Sequence, residues 1–554
     1  MLASRTGRSD GTAAGDLLPN LARKGVSFPA VLGTLLLAGA FMSIAAGVGK
    51  VSSDPSAASQ FWVGGDTWWH LAIGRQMLAT HTWPQADVYS FTMPGKPWIA
   101  YEWLGEIVMA AAWKIGGLRG LIILLTAFSG TLLILLFYYC YLRSRDLTAS
   151  FVACALLLPL ASLSFSVRPQ LPGNVFLLVT LISLERFRQG RPKLLWALPA
   201  LFLIWVNTHG SFILGFGALA IYLVGGSLSF RAAGVWSKPW TSAQRRQLGL
   251  TILLCGLAAL VTPYGIRLAI FPVQFMSLQP LSTKIVTEFQ PLPLSSLYGV
   301  MFLACVLLFC GAILTRRLSC HLPDFILLAV TAGETLLHAR VIVLFVLVFA
   351  PFLAELLARW LPGRQVQKSR VLANALLMAC ILAGIIGFFP SESKLQQVTK
   401  LIAPVDAARF VGSRPDLQRT YTYYDWGSFL MFDLGPSRKV FIDGRLNLYE
   451  HGAVFRDYLA ALWTENGLWT LLRKYDIDSC LVPQGTVQAA LLSASPQWKQ
   501  VYQDRLSLIF VREREPAHTR TNAASRSNNT KIKGGNKGCA VAIVSCSPAR
   551  SHLT

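Results

Sequence analysis

Apolar runs and short polar breaks alternate through the first 390 residues. The runs fall near 27–48, 118–141, 148–165, 172–187, 194–208, 211–228, 248–263, 296–315, 322–338, 341–358 and 371–389. Many hold hardly a charge over about 18 to 22 residues, the length a helix needs to cross a hydrocarbon core roughly 30 Å thick. The pattern predicts about eleven transmembrane helices, several of them short. The first run is longer than the core of a signal peptide. Its exit, GKVSSDPSAASQ, is not a convincing cleavage site, so it reads as a retained helix.

Beyond residue 390 the material changes. Short β-type runs (RTYTYY, RKVFIDG, DIDSCLV, LSLIFVR) alternate with helical patterns such as PVDAARFVG and GLWTLLRKY. This predicts a small α/β domain over 391–515. That stretch also holds about half of the acidic residues in under a quarter of the length, a shift that marks a domain boundary. From Pro516 to Thr554 the chain is rich in Ser, Asn, Gly and Lys, has no acidic residue, and reads as a disordered basic tail.

The basic residues orient this pattern. Arg5, Arg8, Arg23 and Lys24 precede the first run. Alternate connections then carry Arg143 and Arg145; Arg186, Arg188, Arg191 and Lys193; Arg231, Lys238, Arg245 and Arg246; Arg316 and Arg317; and Arg359, Arg364, Lys368 and Arg370. That is about 20 Lys or Arg in about 80 residues, against about 8 in about 120 for the other connections. The expected topology has a cytoplasmic segment over 1–26 and a transmembrane domain over 27–390. The large first loop at 49–117, the 264–295 loop and the 391–515 domain then lie outside.

Composition agrees. Of 554 residues, 53% are hydrophobic and 14% are charged, where soluble globular chains carry roughly 25%. The net charge of +23 falls largely on the expected cytoplasmic connections. It therefore reads as membrane orientation beside lipid headgroups, with no nucleic-acid partner. Most of the ten Cys lie inside apolar runs and no CxxC occurs, so neither a metal site nor a redox pair is indicated.

Orientation turns scattered polar residues into one set. Asp66, His70, Arg75, Asp87 and Glu102 belong to the first external loop. Arg168 in SVRPQLP, Asn207 and His209 in WVNTHGS, Tyr264 in TPYG, and His338 with Arg340 in LHAR fall at external helix ends, and Glu288 lies in the second large loop. Ionisable groups at membrane depth are costly and mark functional sites by default, so a shared outward-facing cavity is expected. Each residue also has a plainer reading. Asp66 after Gly64-Gly65 suits a helix N-cap, and Trp68 and Trp69 suit an interfacial belt. Arg168 and Arg340 suit either snorkelling or a phosphate clamp, and His209 and His338 suit helix-end carbonyls. His70, four residues after Asp66, shares its helical face.

The segment GGDTWWHLAIGRQMLATHTWPQADVYSFTMPGKPWIAYEWLGE resembles the first external loop of the GT-C class of polytopic membrane glycosyltransferases. The resemblance is to a bacterial branch related to protein O-mannosyltransferases and aminoarabinose transferases. SVRPQLP, WVNTHGSFILG, TPYG, HARVIVLFVLVFAP, YDWGSFLMFDL and KVFIDGRLNLY extend the resemblance over roughly 27–515. It implies an α-helical polytopic GT-C-like fold and a polyprenyl-phosphate-linked sugar as donor. The acceptor would be a glycan, lipid or protein on the external, periplasmic side of a cytoplasmic membrane. Asp66 matches the catalytic base, acting with inversion at the anomeric carbon. Arg168, Arg340 or a protonated His209 would stabilise the leaving phosphate, and Trp68 would stack on the sugar. Glu102 would orient the acceptor or hold a metal, and His70, Asp87 and His338 complete the substrate-binding set. Two departures stand out: no Asp-x-Asp pair accompanies Asp66, so the motif indicates no divalent cation, and the Asp-Glu doublet of several relatives is Asp-Thr here.

Two other classes remain open at this stage. A transporter or lipid flippase would show internal repeats and charges near the midplane on several helices, and runs such as LIILLTAFSGTLLILLFYY carry none. A non-enzymatic envelope assembly protein would use the external domain to bind a partner. There, Asp443 and Arg445 in FIDGR alternate on one expected strand face as a structural ion pair.

Overall fold

The computed structural model describes residues 26–54, 63–278, 280–361, 370–450 and 452–513. The tail 516–554, and all of the segment 1–26 except Val26, lie outside the described residues. The chain forms two compact units. One comprises Met1–Lys50, Gln60–Ala86 and Lys96–Gln397; the other comprises Val51–Ser59, Asp87–Gly95 and Val398–Thr554.

The first unit is helical. Each of the eleven apolar runs forms a helix: Phe28–Ser53, Trp103–Ser144, Leu147–Ala161, Gln170–Arg188, Leu198–Thr208, Phe212–Gly225, Ser242–Ala258, Leu297–Leu314, Leu322–Leu337, Ile342–Leu357 and Val371–Gly387. Among the described residues, five helices are long and apolar enough to cross a bilayer. A sixth span results if Val371–Gly387 and Glu392–Ile402, bent by 53°, are counted as one. The chain is thus a polytopic membrane protein, and its remaining apolar runs form shorter or more polar helices. Three short strands, β1 (Phe230–Ala232), β2 (Val235–Ser237) and β3 (Cys320–His321), pair antiparallel and then parallel between helices.

One helix departs from the sequence pattern. The apolar run begins at 118, yet the helix starts at Trp103 and breaks at Gly116 and Gly117, where Gly117 has φ 55° and ψ −138°. That conformation is open to glycine and strained for other residues. The break frees backbone N–H groups at the start of the second half. Leu118 N and Arg119 N donate to the Glu392 carboxylate at 3.3 and 3.2 Å. An acidic group at a helix N-terminus satisfies such orphan donors and opposes the helix dipole.

Away from that break, ends of several helices are tied by a buried ionic cluster. Asp324 accepts from Arg143 Nη1 at 3.1 Å, Arg188 Nη1 at 2.8 Å and the Tyr222 hydroxyl. Arg143 Nε also donates to Glu355 at 2.6 Å, and Arg188 pairs with Glu185. Two arginines counted towards membrane orientation are therefore also interior ties.

The second unit is built on a four-stranded mixed sheet. β4 (Thr420–Thr422) runs parallel to β5 (Ser479–Pro483). β7 (Ser507–Arg512) is antiparallel to β5 and to β6 (Trp498–Gln503), with an irregularity between Gln500 and Tyr502. Helices Val405–Ser413 and Glu465–Lys474 occupy the expected helical patterns. RKVFIDG forms no strand of this sheet. Its backbone meets Asp87–Gly95 instead: Val440 N donates to Tyr89 O at 2.8 Å and Phe91 N to Val440 O at 3.1 Å, an isolated bridge.

Beside that bridge Arg445 is buried between two carboxylates. Its Nη2 lies 2.6 Å from Asp87 Oδ1 and 2.8 Å from Asp443 Oδ2, and its Nε donates to Asp443 Oδ1 at 2.9 Å. Tyr449 donates its hydroxyl to Asp443, and Ser90 donates its amide and hydroxyl to Asp87. Burial alone would depress the guanidinium pKa, but Asp443 and Asp87 outweigh it and hold it well above its ordinary value. Asp443 and Arg445 do pair, although not on a strand.

Candidate active site

The Gly65–Thr80 helix starts the site. Gly64 is its N-cap, in extended backbone conformation, and Asp66 lies in the first turn, where the helix dipole favours a carboxylate. Asp66 is therefore not the cap. Thr67, fully buried, donates its hydroxyl to Val167 O at 3.0 Å and so ties this turn to the segment carrying Arg168. Arg168 Nη1 then lies 3.4 Å from Asp66 Oδ2 and 2.6 Å from Glu288 Oε1. Trp69 Nε1 donates to the other Asp66 oxygen at 3.2 Å. The Asp66 side chain keeps 34% exposure and Glu288 keeps 42%, so this layer is open to a ligand. Partial burial pushes the Glu288 pKa up, but Arg168 and Arg340 outweigh it and hold it below its ordinary value.

Arg340 arrives from the turn Ala339–Val341. Its guanidinium sits 4.6 Å from the Phe289 ring centroid, and Nη2 donates to Gln170 Oε1 at 3.4 Å. This turn is fixed on the Glu288 segment: His338 Nδ1 is 2.8 Å from Phe289 O, and Ala339 N donates to Gln290 O at 2.9 Å. His338 thus meets a backbone carbonyl.

Beneath Asp66 lies a drier layer. His70 Nδ1 is 3.1 Å from Glu106 Oε1, and its Nε2 is 3.4 Å from Glu102 Oε2. Glu102 Oε1 is 3.2 Å from His209 Nε2. Close helix packing makes this possible. A Cβ on Gly74 would come within 2.1 Å of Glu106 O, and one on Gly105 within 2.8 Å of Pro169 Cβ. Burial, then the charge on Asp66, raises the Glu102 pKa to about 8 against the opposing pull of Arg340 and Arg168. Burial, helped by Arg340, lowers the His209 pKa to about 3, and burial with Arg168 and His209 puts that of His70 well below its ordinary value. Both imidazoles are neutral at pH 7.

Next to the Arg168 segment an apolar cavity of about 170 Å³ runs between helices. Val108, Leu124, Phe128, Pro172, Phe176 and Ile204 are among its walls, and Arg168 is the one charged residue lining it. Val108 and Ile204 are 38% and 46% exposed, so the hollow opens onto the apolar flank of the bundle.

The structure brings together Asp66, His70, Glu102, Arg168, His209 and Arg340, from sites up to about 270 residues apart in sequence. Asp87 is elsewhere, buried on Arg445 in the second unit. Trp68 is 3% exposed and packs edge-on to Trp113, and Trp69 lies against Asp66 and His70. Asn207 and Tyr264 hold structure. Asn207 Oδ1 accepts from Trp103 Nε1 at 2.7 Å, and the Tyr264 hydroxyl bridges Pro84 O and Ala100 N. Glu106 and Gln170 were missed. Glu106 carried a signal, since it follows Glu102 by one helical turn; Gln170 had only its place in SVRPQLP. Among the described residues, no three His, Cys, Asp or Glu side chains are grouped so as to hold a metal ion.

No family model and no curated protein matches the chain. Solved structures do resemble it. The archaeal oligosaccharyltransferase AglB of Archaeoglobus fulgidus, in complex with an inhibitory peptide and a dolichol-phosphate, matches at 10% identity and TM-score 0.45, over 76% of this chain and 66% of its own length. An Archaeoglobus fulgidus oligosaccharyltransferase tethered to an acceptor peptide with the NVT sequon matches at 11% and 0.45, over 82% and 70%. ArnT of Cupriavidus metallidurans in the apo state matches at 13% and 0.44, over 80% and 92%. The chain spans just under two thirds of the first of these.

Proposed function

We propose that this chain is a GT-C-type membrane glycosyltransferase that moves a sugar from a polyprenyl-phosphate-linked donor to an acceptor on the external side of the cytoplasmic membrane. The observation that carries this reading is the apolar hollow that counts Arg168 among its walls, together with the contact of the Arg168 guanidinium with Asp66. The polyprenyl chain occupies the hollow and the donor phosphate meets Arg168, with Arg340 across the same cluster. A guanidinium fork fits phosphate oxygens better than a point charge does.

Asp66 is the general base. Its carboxylate takes the proton of an acceptor hydroxyl as that oxygen attacks the anomeric carbon. The sugar–phosphate C–O bond breaks, and its electron pair leaves on the phosphate, where Arg168 and Arg340 stabilise the charge. Attack opposite the leaving group inverts the anomeric centre. Glu288 holds Arg168 at 2.6 Å, so an arriving phosphate competes with that carboxylate. The transfer step uses no metal; among the described residues no three His, Cys, Asp or Glu side chains are grouped so as to hold one.

The test offers the purified chain and its Asp66→Asn variant a panel of polyprenyl-phosphate sugars with glycan, lipid and peptide acceptors. Turnover of one donor is expected, with near-complete loss in the variant. Equal turnover by both proteins removes Asp66 from the chemistry.

A further inference from the structure

Glu102, His70 and Glu106 lie in line, and His209 fixes which atoms can hold protons. The Ser211 backbone N–H donates to His209 Nδ1 at 3.0 Å, so that nitrogen carries a lone pair. The neutral ring's proton is then on Nε2, which lies 3.2 Å from Glu102 Oε1 and turns its N–H side towards that oxygen. A proton on Glu102 therefore sits on the other oxygen, Oε2, 3.4 Å from His70 Nε2. On the far side of that ring, Nδ1 is 3.1 Å from Glu106 Oε1. A neutral imidazole between two carboxyl groups gives one hydrogen and takes one. It cannot satisfy two carboxylates, or two carboxylic acids, at once.

We propose that Glu102, His70 and Glu106 form a wire holding one exchangeable proton, in which His70 and Glu106 are positioning residues that keep Glu102 uncharged towards an anionic ligand. This rests on the lipid-phosphate reading given above. In one arrangement Glu102 Oε2–H donates to His70 Nε2, while His70 Nδ1–H donates to the Glu106 carboxylate. Passing the Glu102 proton to Nε2 as the Nδ1 proton moves to Glu106 gives the mirror arrangement, with Glu102 anionic and Glu106 neutral. No atom enters or leaves, and the ring is neutral in both.

Burial and the Asp66 carboxylate favour the first arrangement, against the pull of Arg340 and Arg168. From the Gly65–Thr80 helix Glu102 meets Asp66 and His70; from its own helix, Glu106, with Tyr101 preceding it; from the other elements, Arg168, His209 and Arg340. With Glu102 neutral, the carboxylates of Asp66 and Glu288 balance the guanidiniums of Arg168 and Arg340, and a phosphate enters a balanced site. An ionised Glu102 would add a negative charge behind it. Burial and the Asp66 charge bring its pKa to about 8, so the uncharged form prevails at pH 7.

Two readouts on the full chain in lipid nanodiscs test this. Infrared titration from about pH 6 to about pH 10 should show a carboxylic-acid C=O band that fades as pH rises through about 8 and is absent in Glu102→Gln. In His70→Gln, whose amide bridges both carboxyls without exchanging a proton between its two ends, the midpoint should move. A band unaffected by Glu102→Gln, or an unmoved midpoint in His70→Gln, overturns the wire. The second readout is the Kd of a polyprenyl monophosphate over the same range. If only the form with neutral Glu102 binds, Kd rises about tenfold at about pH 9 in the wild type and stays flat in Glu102→Gln. The same rise in both proteins overturns the role of Glu102. Absence of lipid binding at every pH, with the infrared band behaving as expected, overturns the lipid-phosphate reading and leaves the wire standing.

Discussion

Replacing Arg445 by Met should destabilise the second unit severely. The guanidinium is 1% exposed and is bonded by two carboxylates that are themselves fully buried. Met fills most of the volume but supplies no charge, leaving Asp87 and Asp443 facing each other without a cation. Breaking a buried pair by removing one partner costs about 3–5 kcal/mol, chiefly because the charge left behind is uncompensated. Across a unit of this size, that lowers Tm by about 10 °C. Arg445→Lys should recover only part of the loss, because one ammonium cannot reproduce the Nε and Nη2 bonds to Asp443 together with the bond to Asp87. Asp87→Asn should cost less, since a neutral Arg445–Asp443 pair survives. The assay is thermal unfolding of the full chain in detergent, followed by tryptophan fluorescence, with limited proteolysis of the Asp87–Gly95 segment as a second readout. A Tm for Arg445→Met within about 2 °C of the wild type would refute the reasoning, as would Lys matching Arg.

Two further substitutions probe the helical unit. Gly74→Ala places a methyl 2.1 Å from the Glu106 carbonyl oxygen, a backbone atom that cannot rotate away; a loss of about 1–3 kcal/mol is expected in a thermal shift assay, with loss of transfer as the Gly65–Thr80 helix is pushed off. Arg168→Lys keeps the charge and loses the fork, so the Kd for a polyprenyl monophosphate should rise about tenfold while Tm changes little.

The apolar runs were legible because length and lack of charge report membrane helices without any tertiary information. The helix over 103–115 was not: its apolar pattern is interrupted, and Gly116-Gly117 reads as a loop although helix continues on both sides. For Asp66 and His70 the one-turn spacing was readable, but their partners were not. Asp66 turns to Arg168, 102 positions away in the sequence numbering, and His70 turns inward to Glu102 and Glu106. Asp87 shows why a loop residue misleads. Its place in the first loop suggested the company of Asp66, whereas its partner, Arg445, is 358 residues distant. The FIDGR segment gave the ion pair through alternation, yet its backbone is no strand because its bonding partner is the short Tyr89–Phe91 stretch. β6 was missed because WKQVYQ carries only a weak alternation.

The bond from Glu392 to the broken helix has a practical side. Apolar character ends near Phe389, so a shortened chain that stops there looks self-sufficient on hydropathy grounds. It would lack the carboxylate that receives Leu118 and Arg119, and two amide hydrogens just after the break in the Trp103–Ser144 helix would have to find water or distort. The helical unit is completed by a residue beyond its own grease, so a version intended to stand alone should run at least to Gln397.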